Sequence, residues 1–157
     1  MTDRTREILA RLADMGATLP DAPPAVGAYA SSYRQGDLLF VAGHTSRTAE
    51  RPARRGVVGI DVSVEEAAGE ARGAAVNLLA AAHHAVGLAE VAALVHLRGF
   101  VRADPEFDRQ PAVIDGASTL FASVFVDAPR HARAAVGVAS LPGGACVELE
   151  AIFALRG

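Results

Sequence analysis

The sequence predicts an α+β domain in which two helices cover one face of a sheet, preceded by an extra N-terminal helix. Two segments carry a single apolar stripe at helical spacing, and the segment between them alternates like a strand. A pair of predicted strands lies at each end of this unit. The expected order after the first helix is β-β-α-β-α-β-β, which favours a two-layer arrangement.

The first half is predicted to hold a helix, a loop and two strands. Apolar residues recur at helical spacing over residues 2–15, and Gly16 ends the stripe. A loop rich in proline and small residues follows over 19–27. Strands over 29–33 and 37–42 flank an Arg-Gln-Gly turn.

The second half begins with a long helix. Ser63-Val64-Glu65-Glu66 has the spacing of a capping box, and an alanine-lined stripe continues to Gly87. Residues 91–102 alternate well enough for a strand, with Val95, Leu97, Gly99 and Val101 on one face. A second helix is expected over 111–125, because Pro111 suits a first helical turn.

Composition restricts the class of protein. The 157 residues suit one domain, with 1–18 as a helical extension and 19–157 as the core. A net charge of −3 provides no broad basic surface for nucleic acid. All 15 basic residues are arginines, which excludes lysine Schiff-base chemistry and a P-loop phosphate clamp.

The distribution of apolar residues and cysteine predicts a soluble cytoplasmic protein. Cys146 alone can form neither an internal disulfide nor a multi-thiolate metal site. The N-terminal residues lack the apolar stretch of a signal peptide. The longest weakly polar region, 74–95, is interrupted by His83, His84 and Glu90, so no membrane-spanning helix is expected.

Arg133 is the first candidate for chemistry. Strand alternation places it on one face with Ala135 and Gly137, and these small neighbours leave space beside the guanidinium. Such a group can bind a carboxylate through two hydrogen bonds. An arginine on a solvated strand face is the commoner explanation of the same pattern.

Glu148 and Glu150 are the second candidates, since they share the polar face of the last predicted strand. Paired carboxylates can perform acid–base work, although a charged polar face is again commoner. A hairpin of 131–141 and 145–155 around Pro142-Gly143-Gly144 would set Arg133 opposite about residue 152. Glu148 would then lie roughly 13 Å further along the strand, so that a bulge or a second subunit must bring the two groups together.

The sequence contains no pattern typical of a metal or cofactor site. His83 and His84 are adjacent on a helix, and the other histidines have no acidic or cysteine partner at ligand spacing. Gly-x-Ser-x-Gly and Gly-x-Gly-x-x-Gly are absent. Cys146 lies on an apolar strand and is expected to be structural.

Two groups of motifs resemble a known family. The first is Pro24-Ala25-Val26-Gly27-Ala28-Tyr29-Ala30 followed by the strand end Gly36 to His44. The second is Arg133-Ala134-Ala135-Val136, with Leu141-Pro142 and Val147-Glu148-Leu149-Glu150-Ala151. Over residues 20–156 the chain resembles the Rid family, the RidA/YjgF group of reactive intermediate deaminases. It is most similar to a longer branch with an N-terminal helix.

The resemblance implies a chorismate-mutase-like fold, a homotrimer and a cleft at each subunit boundary. Arg133 would bind the carboxylate of a 2-imino or 2-enamino acid, and Glu148 would position or activate water without a metal or organic cofactor. Tyr29, Gly43, Ala135 and Asp115 would complete the substrate site. A lone subunit is expected to expose the sheet face that bears Arg133 and Gly137.

Three positions depart from the family pattern. Ala134 replaces a common Ser or Thr, His44 replaces Gln, and Asp115 stands where Asn is frequent. A carboxylate at position 115 disfavours an anionic substrate through charge repulsion. Two alternatives to a deaminase remain: a trimeric protein that binds small carboxylates without turnover, and an endoribonuclease or translation inhibitor, which the acidic balance disfavours.

Overall fold

Eight helices and strands form the fold in the computed structural model, which describes residues 2–22 and 27–157. In chain order they are α1 (Asp3–Asp14), β1 (Ser32–Gln35), β2 (Leu38–His44), α2 (Val64–Val86), β3 (Val91–Arg102), α3 (Gln110–Val124), β4 (Ala132–Val138) and β5 (Val147–Leu155). Residues 23–26 contain part of the predicted proline-rich loop and of the Pro24–Ala30 motif. They lie outside the described residues.

The five strands form one sheet in the order β1-β2-β5-β3-β4. β5 pairs antiparallel with both β2 and β3, while β4 pairs parallel with β3. Helices α2 and α3 cover one face of the sheet and contact each other, and α1 packs on α3 and the turn before β3. The predicted two-layer α+β fold with an N-terminal helix is therefore confirmed.

The helices begin where their sequence signals predict. Ser63 Oγ accepts a hydrogen bond from the Glu66 amide at 3.1 Å, and the Glu66 carboxylate accepts one from the Ser63 amide at 2.9 Å. This capping box satisfies two amides that the first turn of α2 leaves free. Pro111 lies in the first turn of α3, where its missing N–H removes no helical hydrogen bond.

The core lies between the helices and the sheet. Every second residue of β5 points into it, and each of these five side chains is at most 6% exposed: Val147, Leu149, Ala151, Phe153 and Leu155. Phe153 packs edge-to-face on Phe121 and Phe125 of the α3 region, with ring centroids 5.9 and 6.3 Å apart. Burial on this scale fixes the register of β5, because a slip of one residue would expose the whole apolar set.

The predicted hairpin between β4 and β5 is wrong. β3 lies between these two strands, with Leu97 paired to Arg133 on one side and to Ala151 on the other. The helix between β3 and β4 makes a strand–helix–strand unit, and such units run parallel. β5 instead takes the central position between β2 and β3, where its apolar residues are buried best.

Two smaller expectations also need correction. The first strand begins at Ser32, since residues 27–29 form a bend. Val95 does not share the core face of β3. The pairing with β5 shifts register between Leu94 and His96, and this bulge leaves the Val95 side chain 41% exposed.

The second sheet face is uncovered in the single chain. It carries large apolar side chains with substantial exposure, including Phe40 at 40% and Val136 at 41%. Exposed apolar groups on one side of a sheet are typical of a contact surface. Within the described residues, no helix has the length and apolar character needed to cross a membrane.

Glycine is required where α2 and α3 cross. A Cβ added at Gly116 of α3 would overlap the backbone carbonyl of Ala68 on α2, whereas a Cβ at Gly69 of α2 meets nothing within 4 Å. We therefore expect Gly116→Ala to lower the free energy of unfolding by about 1–3 kcal/mol through overpacking. The matched control, Gly69→Ala, should raise it by about 0.5–1 kcal/mol, because alanine restricts the unfolded chain and favours a helix. Urea unfolding of both variants measures these differences, and equal stabilities would contradict the close crossing.

Candidate functional site

Arg133 of β4 is held against the first half of α3. Its Nη1 donates to Asp115 Oδ1 at 2.7 Å and to Ser118 Oγ at 3.0 Å, and its Nη2 donates to the Pro111 carbonyl at 3.2 Å. The Arg133 side chain is 24% exposed and that of Asp115 is 63% exposed. The guanidinium is thus anchored by one helix and still reaches solvent at the sheet edge.

The hydrogen-bond chain continues from Ser118 to His131, whose Nε2 lies 3.0 Å from Ser118 Oγ. Burial lowers the pKa of His131, and the positive charges of Arg133 and Arg130 lower it further. A neutral imidazole can accept the Ser118 proton while Ser118 accepts from Arg133. Asp115 and Ser118, with His131 behind Ser118, therefore fix the direction of the Arg133 guanidinium.

Glu148 forms a second polar site on β5. It pairs with Phe100 of β3, and its carboxylate lies over Gly43 of β2, where any Cβ would collide with it. Burial raises the pKa of the Glu148 carboxyl, and the charge of Glu150 raises it further. Glu150 itself is paired with Arg98 at 2.8 Å. Among the described residues no hydrogen bond or ion pair reaches the Glu148 carboxylate, so nothing in the described chain offsets these two effects on its pKa.

Arg133 and Glu148 lie on opposite faces of the sheet. Arg133 pairs with Leu97, whose side chain enters the core, while Glu148 pairs with Phe100 on the uncovered face. The expectation that the uncovered face bears Arg133 and Gly137 is therefore wrong, because α3 packs there and a Cβ at Gly137 would approach the Gln110 side chain. A single chain does not bring the two groups together.

Three of the four remaining predicted site residues lie at one of these two positions. Asp115 contacts Arg133 directly, and Ala135 follows Arg133 on the same face of β4. Gly43 lies beneath Glu148. Tyr29 is 52% exposed and precedes β1.

Two other residues weighed from the sequence face the interior. His44 is 9% exposed, its pKa is lowered by burial, and its Nε2 has no partner among the described residues. Burial, assisted by the charge of Glu70, raises the pKa of the Cys146 thiol to about 11, so that the reactive thiolate is scarce. Within the described chain, no group of three or more His, Cys, Asp or Glu side chains is arranged to hold a metal ion.

Comparison with known proteins identifies the family. The model of the Endoribonuclease L-PSP family, which is the YjgF/RidA family, matches residues 19–155. The chain belongs to the Rid family. It is 40% identical to Atu1372 of Agrobacterium tumefaciens, a protein of unknown function, with a TM-score of 0.90 over 98% of this chain and 96% of that one.

Two further proteins resemble the chain to different degrees. Protein TCP17 of Trypanosoma cruzi is 37% identical, over 95% of this chain and 94% of the relative. RidA of an Antarctic Psychrobacter is 26% identical with a TM-score of 0.61, over 85% of this chain and 94% of that one. Atu1372 therefore shares the whole fold, and the resemblance to the Rid family stated from the motifs is confirmed.

Sequence reasoning missed Ser118 and His131, which continue the hydrogen-bond chain from Arg133. Ser118 lies three residues after Asp115, and this spacing puts both on one face of α3. His131 precedes Arg133 by two residues, which puts both on one face of a strand. These signals were present, but Arg133 was expected on the sheet face that a lone subunit exposes, which is not the face that α3 covers.

The raised pKa of Glu148 predicts a stability effect. A carboxyl whose pKa is higher in the folded state opposes folding when it is ionised, and this cost disappears as the pH falls below the unfolded pKa near 4.3. Glu148→Gln should therefore stabilise the protein at pH 7–8, with a gain that shrinks towards pH 4. Urea unfolding across this pH range measures it. The control Glu106→Gln, at an exposed position, should bring no such gain, and a pH-independent effect of Glu148→Gln would contradict the assignment.

Proposed function

We propose that the protein hydrolyses 2-imino and 2-enamino acids to 2-oxo acids and ammonia, with Arg133 and Glu148 as its catalytic residues. The observation that carries this proposal is the Arg133 guanidinium, held by Asp115, Ser118 and the Pro111 carbonyl at an accessible sheet edge. A planar, fixed guanidinium suits a substrate carboxylate. Membership of the Rid family supports the same reaction class.

The chemistry requires few groups. The imine carbon is already electrophilic, so orienting it and a water molecule can supply most of the acceleration. A 2-enamino acid first tautomerises to the imine. Glu148 takes a proton from the attacking water and gives it to the imine nitrogen, which forms a carbinolamine. Glu148 then moves the hydroxyl proton of the carbinolamine to its amino group, so that the C–N bond breaks, ammonia leaves and the 2-oxo acid remains. A carboxylate with a raised pKa is better matched to both transfers near neutral pH.

The site is proposed to form between subunits of a homotrimer. Arg133 and Glu148 point to opposite faces of one sheet, so a shared site needs Glu148 from one chain and Arg133 from the next. The uncovered face with Phe40 and Val136 provides the contact surface. A closed ring of three chains would repeat this contact in three equivalent clefts.

A mixing experiment tests the reaction and the shared site together. A coupled enzyme supplies 2-aminoacrylate, and release of the 2-oxo acid is followed. Arg133→Ala and Glu148→Gln should each lose nearly all acceleration over buffer, whereas Arg34→Ala, which alters an exposed arginine on β1, should not. When the two inactive variants are refolded together, about a quarter of the interfaces regain both groups, so that about a quarter of the activity should return.

The controls separate the alternatives. Light scattering should give a mass of three times the 16.2 kDa chain. A folded monomer, or two inactive variants that never complement each other, would contradict the interfacial site. Binding of a 2-oxo acid at Arg133 without turnover would support a non-catalytic protein, and RNA cleavage that survives Arg133→Ala would support the endoribonuclease named by the family description.

Asp115 is expected to reduce the affinity for anionic substrates. Its carboxylate already occupies Arg133, and a substrate carboxylate must compete with it. Because the Asp115 side chain is 63% exposed, the pair contributes at most about 1 kcal/mol. Asp115→Asn should therefore lower the KM by up to about fivefold with little change in kcat. A raised KM would show instead that Asp115 positions the arginine, and the inhibition constant of 2-oxobutyrate provides an independent measure.

A further inference from the structure

A cavity beneath the N-terminal helix is lined by three arginines. It has a volume of about 290 Å³ and lies between α1, the start of β3, the segment after α3 and the C-terminus. Arg4 and Arg11 come from α1, and Arg156 follows β5. Apolar groups, among them Phe125 and Pro129, form the rest of its wall. Small-molecule sites commonly combine an apolar wall with a few convergent polar groups.

The charges of these arginines are not balanced. Arg4 Nη2 donates to the carbonyls of Val91 and Ala92 at 3.1 and 3.2 Å, and Arg11 Nη1 donates to the Val124 carbonyl at 3.0 Å. These partners are neutral. The Nε–H of Arg4 is buried and has no acceptor within the described chain. Five other arginines of the described chain form ion pairs, but none of the three around the cavity does.

The acids nearest to these arginines do not neutralise them. Asp127 is the only acid among the lining residues that the structure describes, and it makes no ion pair within 4.0 Å. Glu7 lies at helical spacing from both Arg4 and Arg11 and pairs with neither. The lining therefore keeps a formal surplus of two positive charges beside an apolar wall.

A larger cavity, of about 540 Å³ between α2 and residues 46–51, lacks this surplus. Its arginines, Arg51 and Arg72, are matched by Asp21 and Glu50, and Arg51 is already paired with Glu70 at 2.8 Å. The arginine cavity is also separate from the proposed catalytic site, because none of the partners of Arg133 lines it.

We propose that the arginine cavity binds a small organic anion. Its carboxylate or phosphate group would lie among Arg4, Arg11 and Arg156, and its apolar part would contact Phe125 and Pro129. Guanidinium groups suit either oxyanion through paired hydrogen bonds. Since α1 supplies two of the three arginines, the bound anion also fastens α1 to the sheet.

Calorimetric titration with butyrate and butyl phosphate tests this site. Comparison of butyl phosphate with inorganic phosphate measures what the apolar part of the ligand contributes to affinity. The tighter of the two ligands identifies the preferred oxyanion, and its affinity should be unchanged in Arg133→Ala. Arg156→Gln and the double variant Arg4→Gln/Arg11→Gln should each weaken binding by about tenfold or more. The control Arg34→Gln should leave it unchanged.

Hydrogen exchange provides a readout that does not depend on activity. Bound ligand should slow exchange of the amides of residues 3–14, because it links α1 to the body of the protein. Far-UV circular dichroism checks that the double variant keeps its helices, and Arg156→Gln tests the site without altering α1. No binding at millimolar ligand, binding lost only in Arg133→Ala, or equal affinity in the cavity variants would overturn the proposal.

Discussion

Alternation of side chains along a pleated strand decides whether Arg133 and Glu148 can meet within one chain. β4 and β5 both pair with β3, and the pairings of Leu97 with Arg133 and of Phe100 with Glu148 send these two groups to opposite faces. No rotamer carries a side chain through a hydrogen-bonded sheet. A reaction that uses both groups therefore depends on a second chain, and the uncovered apolar face supplies a reason for that chain to bind.

The two acids of the candidate site differ because their surroundings differ. Asp115 is mostly exposed and lies on a fixed guanidinium, an arrangement that solvent makes weak and exchangeable. Glu148 is half-buried without an ion-pair partner in the described chain, and Glu150 adds charge repulsion. In the first environment, another carboxylate can displace Asp115 from Arg133. In the second, the Glu148 carboxylate holds a proton more readily.

The sequence predicted the elements of the fold more accurately than their arrangement. The capping box at Ser63, the proline at position 111 and the alternation of β5 are local signals, and the structure follows each of them. The strand that pairs with β4 is decided by competition between strands far apart in the sequence. A Pro-Gly-Gly turn does not indicate which strand wins. The strand–helix–strand order was the better guide, because it requires β4 to run parallel to β3. The residue types of Arg133 and Glu148 marked them as candidates. The sheet face on which each lies could be assigned only once the position of β5 was known.

The arginines of this chain can be separated by what balances their charge. All 15 basic residues are arginines, so the same side chain must serve surface ion pairs, backbone contacts and any anion site. The charge of Arg98 is balanced by the carboxylate of Glu150. The charge of Arg133 is balanced by Asp115, an exposed acid that a ligand can replace. Arg4 and Arg11 donate to neutral carbonyls and keep their charge. Because a partly buried charge is costly without a counterion, retention of two of them at one cavity is better explained by an anion that enters it than by packing.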